Sequence, residues 1–408
     1  MEEERLEPKR RFKGYENTEL SNIKLGDYAL IKGRLGWKSL KREEYIENGP
    51  SMIAGRHIKH GIIDWDKVDH IPLWRYEESP EIMLKNNDVI FSKDGSLGNP
   101  ALITDLKDKA TINATMMLVR IIGKLSASYF YHILNSKRFY ELVNLKVSGS
   151  SIPHLFQEDM KNFQFYAPVI NEQKKIGKFF KVLDERIANQ ERKIAKVKSL
   201  KEAYLMEMFP QEGETVPKRR FKGFDGEWYK KTLGNFGTVE MNKRIFKGQT
   251  SVIGDVPFYK IGTFGKKADS FISYELFNEY KTKYPYPEPG DILISAAGSI
   301  GRTIEYQGED AYYQDSNIVW LKHDGKLSNL FLKQFYNFTN WSSLEGSTIK
   351  RLYNRDILEA TIQVPSSIKE QQKIGAFFKN LDNQIEMEEK KLDKLQKMKE
   401  AYLEEMFV

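Results

Sequence analysis

EQKKIGKFFKVLDERIANQERKIAKVKSLKEAYLMEMF, residues 172–209, returns as EQQKIGAFFKNLDNQIEMEEKKLDKLQKMKEAYLEEMF, residues 370–407, with 22 of 38 positions identical. The offset of 198 residues lies far outside the period of a solenoid, roughly 20–50 residues, so a whole module has been duplicated. A second echo, PKRRFKG at Pro8–Gly14 and again at Pro217–Gly223, extends the repeat unit over the long stretch ahead of each helix. The 408 residues therefore divide as module 1–170, helix 171–210, module 211–366 and helix 367–408.

Strong helix formers run from Glu172 to Phe209 with no proline and one glycine, Gly177, and the run stops at Pro210. With Phe180 at a heptad a position, Ile187, Ile194, Lys201 and Met208 follow at a, and Leu183, Gln190, Val197 and Tyr204 fall at d. The second copy keeps the register: Phe378, Ile385, Leu392, Lys399 and Met406 at a, Leu381, Glu388, Leu395 and Tyr402 at d. Such a 3.5-residue repeat predicts a coiled coil, each helix about 55 Å long. The chain order favours an antiparallel pair related by a pseudo-twofold axis, with a module at either end of a rod. Lys201, Lys399, Gln190 and Glu388 are polar seam residues, which cost stability while specifying register. The helix ends carry more apolar surface than one seam covers. Tyr204, Leu205, Met208 and Phe209, with Tyr402, Leu403, Met406 and Phe407, are therefore candidates for binding another protein; the competing reading packs them on the adjacent module.

Composition narrows the function. The chain has 64 basic and 57 acidic residues, a net charge of +7 that favours a polyanionic partner. It contains no cysteine, which removes disulfides, thiol nucleophiles and cysteine-ligated zinc and fits a reducing compartment. The start MEEERLEPKR has neither a basic n-region nor an apolar h-region. No apolar run approaches the roughly 18 residues of a membrane span. A cytoplasmic protein without membrane association is expected.

Each module reads as α+β. Asp88–Gly98 and Asp291–Gly301 are apolar strands entering glycine turns. Helical stretches near Ser128–Leu145 and Asn329–Leu344 follow, then the turns Ser148–Ile152 and Glu345–Ile349. Phosphate-loop, HExxH, GxSxG, GxGxxG and amino-methyltransferase motifs are all missing. His57 and His60 have metal-like spacing but no further ligands nearby, so no metal site and no catalytic residue is assigned. What recurs is basic and small polar residues at turns beside aromatics. Candidates for nucleic-acid contact in the first module are Arg56, His57, Lys59, Ser92, Lys93, Ser150, Ser151 and His154. In the second they are Lys243, Arg244, Lys247, Lys260, Lys266, Arg302, Lys350 and Arg351. These side chains supply phosphate and base-edge hydrogen bonds. The copies differ where reading would occur: Lys93-Asp94 stands against Ala296-Ala297, and His154 against Arg351.

The paired strand–turn segments, the Gly-Ser/Thr turns after each module helix, and above all the EQKKIGKFF and EQQKIGAFF helix starts give the chain a resemblance to the specificity subunit of type I restriction-modification systems. The resemblance covers essentially its whole length. It implies two tandem target recognition domains, each reading one half of a split site in double-stranded DNA, and paired helices that set the spacer and dock two modification subunits. It further implies that this chain is non-catalytic and carries no cofactor of its own. S-adenosylmethionine for N6-adenine methylation would belong to the modification subunits, and ATP and Mg to the restriction subunits. The alternative is a coiled-coil DNA-binding scaffold or regulator without a modification partner.

Overall fold

The computed structural model describes residues 7–35, 40–147, 153–339, 341 and 351–408. The chain divides into two compact units, residues 1–191 with 390–408, and residues 192–389. The boundary cuts both long helices near their middles, so each unit is a module completed by the start of one helix and the end of the other.

In the first unit β1 (Ser21–Lys24), β2 (Ala29–Lys32), β3 (Ile46–Ile53), β4 (Asp88–Ser92), β5 (Gly98–Leu102), β6 (Ala110–Ile112) and β7 (Met116–Ile121) precede α1 (Ala127–Ile133) and α2 (Lys137–Val147). Then come β8 (Gln164–Ala167) and the long helix α3 (Ile170–Met208). An antiparallel sheet runs β2-β7-β4-β5, β1 pairs with β8, and β3 pairs in parallel with β6. The expected strand–turn of Asp88–Gly98 is the β4–β5 hairpin. The single helix expected over 128–145 is two, because the chain turns at Leu134–Ser136, where the Ser136 hydroxyl donates to the Ile133 carbonyl at 2.7 Å.

The second unit repeats the plan. Its elements are β9 (Tyr229–Thr232), β10 (Gly237–Glu240), β11 (Val256–Tyr259), β12 (Ile292–Ser295), β13 (Thr303–Glu305), β14 (Tyr312–Tyr313), β15 (Ile318–His323), α4 (Asn329–Phe338), β16 (Thr361–Val364) and the long helix α5 (Ile368–Met406). The sheet order β10-β15-β12-β13, the β9–β16 pair and the parallel β11–β14 pair match the first unit strand for strand.

The repeated sequence motifs are the joints between module and helix. Glu172 and Gln173, both at most 2 % exposed, open α3. Glu172 takes Arg11 from the first PKRRFKG segment. The Gln173 side chain accepts from the Ser126 N–H at 2.9 Å and donates to the Pro168 carbonyl at 2.8 Å, which locks the start of α1 to the start of α3. In the second unit Arg220 grips Glu370 at 2.6 and 2.8 Å. Gln371 likewise accepts from the Ser328 N–H at 2.9 Å and donates to the Pro365 carbonyl at 3.2 Å. Removing either arginine would strand a buried carboxylate, at about 3–5 kcal/mol. The neighbouring arginine holds the end of the other kind of helix segment: the Arg10 N–H donates to the Glu405 carbonyl at 3.0 Å, and the Arg219 N–H to the Glu207 carbonyl at 2.8 Å.

Inside each unit the two helix segments run antiparallel. In the first, Phe179 meets Tyr402 and Asp184 pairs with Lys399 at 2.6 Å; in the second, Phe377 meets Tyr204 and Asp382 pairs with Lys201 at 2.6 Å. The polar seam lysines are thus neutralised by aspartates from the opposite segment, and buried Glu388 takes Lys193 at 2.8 Å. The apolar helix ends are core. Met406 and Phe407 join one hydrophobic cluster and Met208 and Phe209 the other, with Tyr402, Leu403, Tyr204 and Leu205 packed partly buried against them. Burial takes Met208, Phe209, Met406 and Phe407 out of a free docking patch, in line with the competing reading, while Tyr204, Leu205, Tyr402 and Leu403 keep part of their surface.

Candidate nucleic-acid interface

In each unit three loops converge at the end of the strand opening the β4–β5 or β12–β13 hairpin. In the first, the Lys93 N–H donates to the Thr115 carbonyl and the Leu155 N–H to the Lys93 carbonyl, both at 2.9 Å. In the second, the Ala296 N–H donates to the Asn317 carbonyl and the Leu352 N–H to the Ala296 carbonyl, both at 2.8 Å. These bonds place Asp94 opposite His154 and Ala297 opposite Arg351 as matching isolated bridges. A fourth loop adjoins each cluster. Asn99 donates to the Gly55 and Ile58 carbonyls at 3.0 and 3.2 Å, holding the loop of Arg56 and Lys59 beside the first turn. Arg302 donates to the Gly265 carbonyl at 3.3 Å, and the Ile261 N–H donates to Gln314 at 3.0 Å, which brings the loop of Lys260 and Lys266 beside the second.

The scaffold is shared and the chemistry on it differs. In the first unit His154 Nδ1 contacts Asp94, which also takes Lys93 at 2.9 Å. In the second, alanine faces the same position, and Arg351 donates through one nitrogen to the Ser316 carbonyl at 2.7 Å. Arg244 pairs with Asp315 in the same loop at 2.9 Å, while Lys243 and Lys247 stay exposed on the segment around it. Lys260 pairs with Asp269 at 2.8 Å, and Lys266 and Arg302 are exposed. Arg56 pairs with Asp69 but remains largely exposed, and Lys59 is exposed.

Two candidates are overturned by burial. His57 is 3 % exposed; its Nδ1 accepts the Ala54 N–H at 3.0 Å, and burial and then Arg56 push its pKa below the ordinary histidine value. It braces the loop in the neutral form. Ser92 is 6 % exposed, its hydroxyl against the Met116 sulfur. Ser150, Ser151 and Lys350 lie outside the described residues. Two residues escaped sequence reading: Phe156 and Tyr353, at 60 and 61 % exposure, hold equivalent places beside the clusters. Their N–H groups donate to Asp159 and Asp356, both at 2.8 Å. The detectable signal was an aromatic followed three residues later by aspartate in both copies. Among the described residues no cluster of histidine and acidic side chains has metal-binding geometry, and no helix is long and apolar enough to cross a membrane.

The family model of the type I restriction modification DNA specificity domain matches residues 19–199 and again 225–397. A type I restriction enzyme specificity subunit of Haemophilus influenzae is 54 % identical over 157 residues, covering 38 % of this chain and 40 % of that protein. The MjaVIII specificity subunit of Methanocaldococcus jannaschii is 23 % identical over 403 residues, covering 93 % of this chain and 90 % of that one. In fold, the S subunit of a type I restriction-modification system from M. genitalium superposes with a TM-score of 0.67 at 17 % identity, covering 98 % of this chain and 99 % of the other.

Proposed function

Since the chain belongs to the type I restriction modification DNA specificity family, we propose that it is the non-catalytic specificity subunit of such a complex, and that each unit reads one half of a bipartite site in double-stranded DNA. The observation that carries this reading is the pair of loop clusters with matching backbone bonds and unequal chemistry, Asp94–His154 against Ala297–Arg351. An arginine, with its fork of N–H donors, suits guanine O6 and N7, whereas a carboxylate beside imidazole suits a donor such as cytosine N4. Phe156 and Tyr353 add exposed aromatic area at the edge of each cluster. The remaining exposed lysines and arginines serve phosphate contacts, which position a duplex and carry no sequence information.

The partners would be two modification subunits and, in the full system, restriction subunits. S-adenosylmethionine would bind the former, ATP and Mg the latter. Extruding an adenine for methylation is the modification subunit's task in this reading. Lys196, Glu202 and Ala203 on α3 recur as Lys394, Glu400 and Ala401 on α5, all exposed. An exposed patch repeated on both helices suits two copies of one subunit better than apolar ends whose last two residues are buried in the modules.

The test is reconstitution. Purified chain alone should transfer no methyl group, and addition of a modification subunit should give N6-adenine methylation at one bipartite site. Asp94→Ala with His154→Arg should then change base preference in one half only. Methyl transfer by the chain alone, or a change in both halves, would overturn the assignment.

A further inference from the structure

Val252 and Ile253 are 81 and 85 % exposed, the highest values among the exposed large hydrophobic residues of the described chain. Two adjacent β-branched side chains held in water are costly unless something covers them. The turn that carries them is braced. Ser251 and Phe271 exchange both backbone hydrogen bonds at 2.9 Å. The Ser251 hydroxyl donates to the Ile253 carbonyl at 2.6 Å. Gly254 packs so closely that a Cβ there would lie 2.7 Å from Phe271 Cβ. The tip is stiff in backbone and, being β-branched, stiff in side chain.

Its surroundings identify the occupant. The segment leading to the tip is tied to the loop cluster of the second unit through Arg244 and Asp315. Residues 242–270 hold six basic and two acidic side chains, net +4 of the chain's +7. An apolar tip on a basic arm beginning at a base-reading cluster matches a duplex, whose phosphates meet the lysines and whose stacked bases can receive aliphatic side chains. Apolar wedges of this kind unstack a base step and kink DNA, exposing more of it to the protein. We propose that Val252 and Ile253 form such a wedge, inserted at a base step of the half-site read by the second unit. The proposal rests on the DNA-reading assignment above. Insertion would be preorganised by the braced turn, and it would favour easily unstacked pyrimidine–purine steps without any hydrogen bond to a base.

The experiment uses the full chain assembled with its modification subunits, on duplexes carrying the site defined by methylome sequencing. 2-Aminopurine is placed in turn at each step of the second unit's half-site, excluding the methylated adenine. With wild-type protein one position should brighten severalfold on binding. The Val252→Ala/Ile253→Ala variant should lose that signal and bind about tenfold or more weakly, and Ile253→Leu should retain it. Both side chains are exposed, so folding is not at stake. If no position brightens, or the double alanine variant keeps both signal and affinity, the wedge is refuted while specific methylation leaves the subunit assignment standing. Unchanged DNA binding with weakened subunit assembly would make the pair a protein contact and refute it equally. A wild-type complex that methylates no specific site would overturn both proposals.

Discussion

His132 on α1 is 1 % exposed, its ring between those of Tyr131 and Phe180 at 4.7 and 4.8 Å. Burial, and then the positive charge of Lys399, hold its pKa well below the ordinary value. The corresponding residue on α4 is Gln334, also fully buried. A histidine with a depressed folded-state pKa contributes stability that is present above its unfolded value, near 6.5, and is lost as pH falls below it. His132→Gln, the solution used by the other copy, should therefore flatten the acid loss of stability between about pH 6.5 and 5, where one such group contributes up to about 1.4 kcal/mol per pH unit. Urea unfolding at several pH values measures it; His57, shifted the same way by burial, leaves part of the slope in place. An unchanged slope would exclude His132 as its source. Neither histidine was legible as buried. In the sequence His57 sits in a polar-looking run, and only the fold reveals that its ring satisfies the Ala54 N–H.

Gly177 and Gly375 interrupt otherwise strong helices at equivalent places, and close packing explains them. A Cβ on Gly375 would lie 2.5 Å from Leu330 Cβ and 2.8 Å from backbone atoms of α4; one on Gly177 would meet the Ser128 hydroxyl at 2.2 Å. Alanine gains about 1 kcal/mol in helix propensity, but overpacking costs about 1–3 kcal/mol. Rotating the Ser128 hydroxyl aside leaves a single close contact, 2.9 Å to Ser128 Cβ, whereas Leu330 Cβ and two backbone atoms all crowd a Cβ on Gly375 and cannot rotate away. Gly375→Ala should thus lower the melting temperature more than Gly177→Ala, by several degrees in a thermal melt; equal or stabilising effects would show that the helix can move away. The long helices themselves were plain in the sequence, since their formers and heptads agree over ten turns. Their ion pairs were not. The heptad places Lys201 and Lys399 at the seam, but Asp382 and Asp184 become their partners only once the antiparallel alignment is known. The modules were legible as strand–turn segments, while the converging loops come from positions about 60 residues apart, such as Asp94 and His154, which local patterning does not connect.

For the whole molecule, two units with matching internal plans should exchange independently. Replacing residues 211–366 by the module of a relative should alter one half of the methylated site and leave the other, which methylome sequencing of cells carrying the chimera reads directly; altered bases in both halves would deny separate readers. The division of each long helix between units has a stronger consequence. The core and seam residues that the first unit takes from the end of α5, Lys399, Tyr402, Leu403, Glu405, Met406 and Phe407, have identical counterparts in Lys201, Tyr204, Leu205, Glu207, Met208 and Phe209 of α3; exposed Glu404, which lies 4.0 Å from Lys9, is replaced by Met206. A half-length polypeptide, residues 1–210, carries both what its module requires from a foreign helix and what it offers in return. Two copies should therefore trade helix ends and form a homodimer, each module completed by its sibling. Light scattering should give twice the half-chain mass. With modification subunits added, such a dimer should methylate a palindrome made of the first half-site facing its own inverted copy.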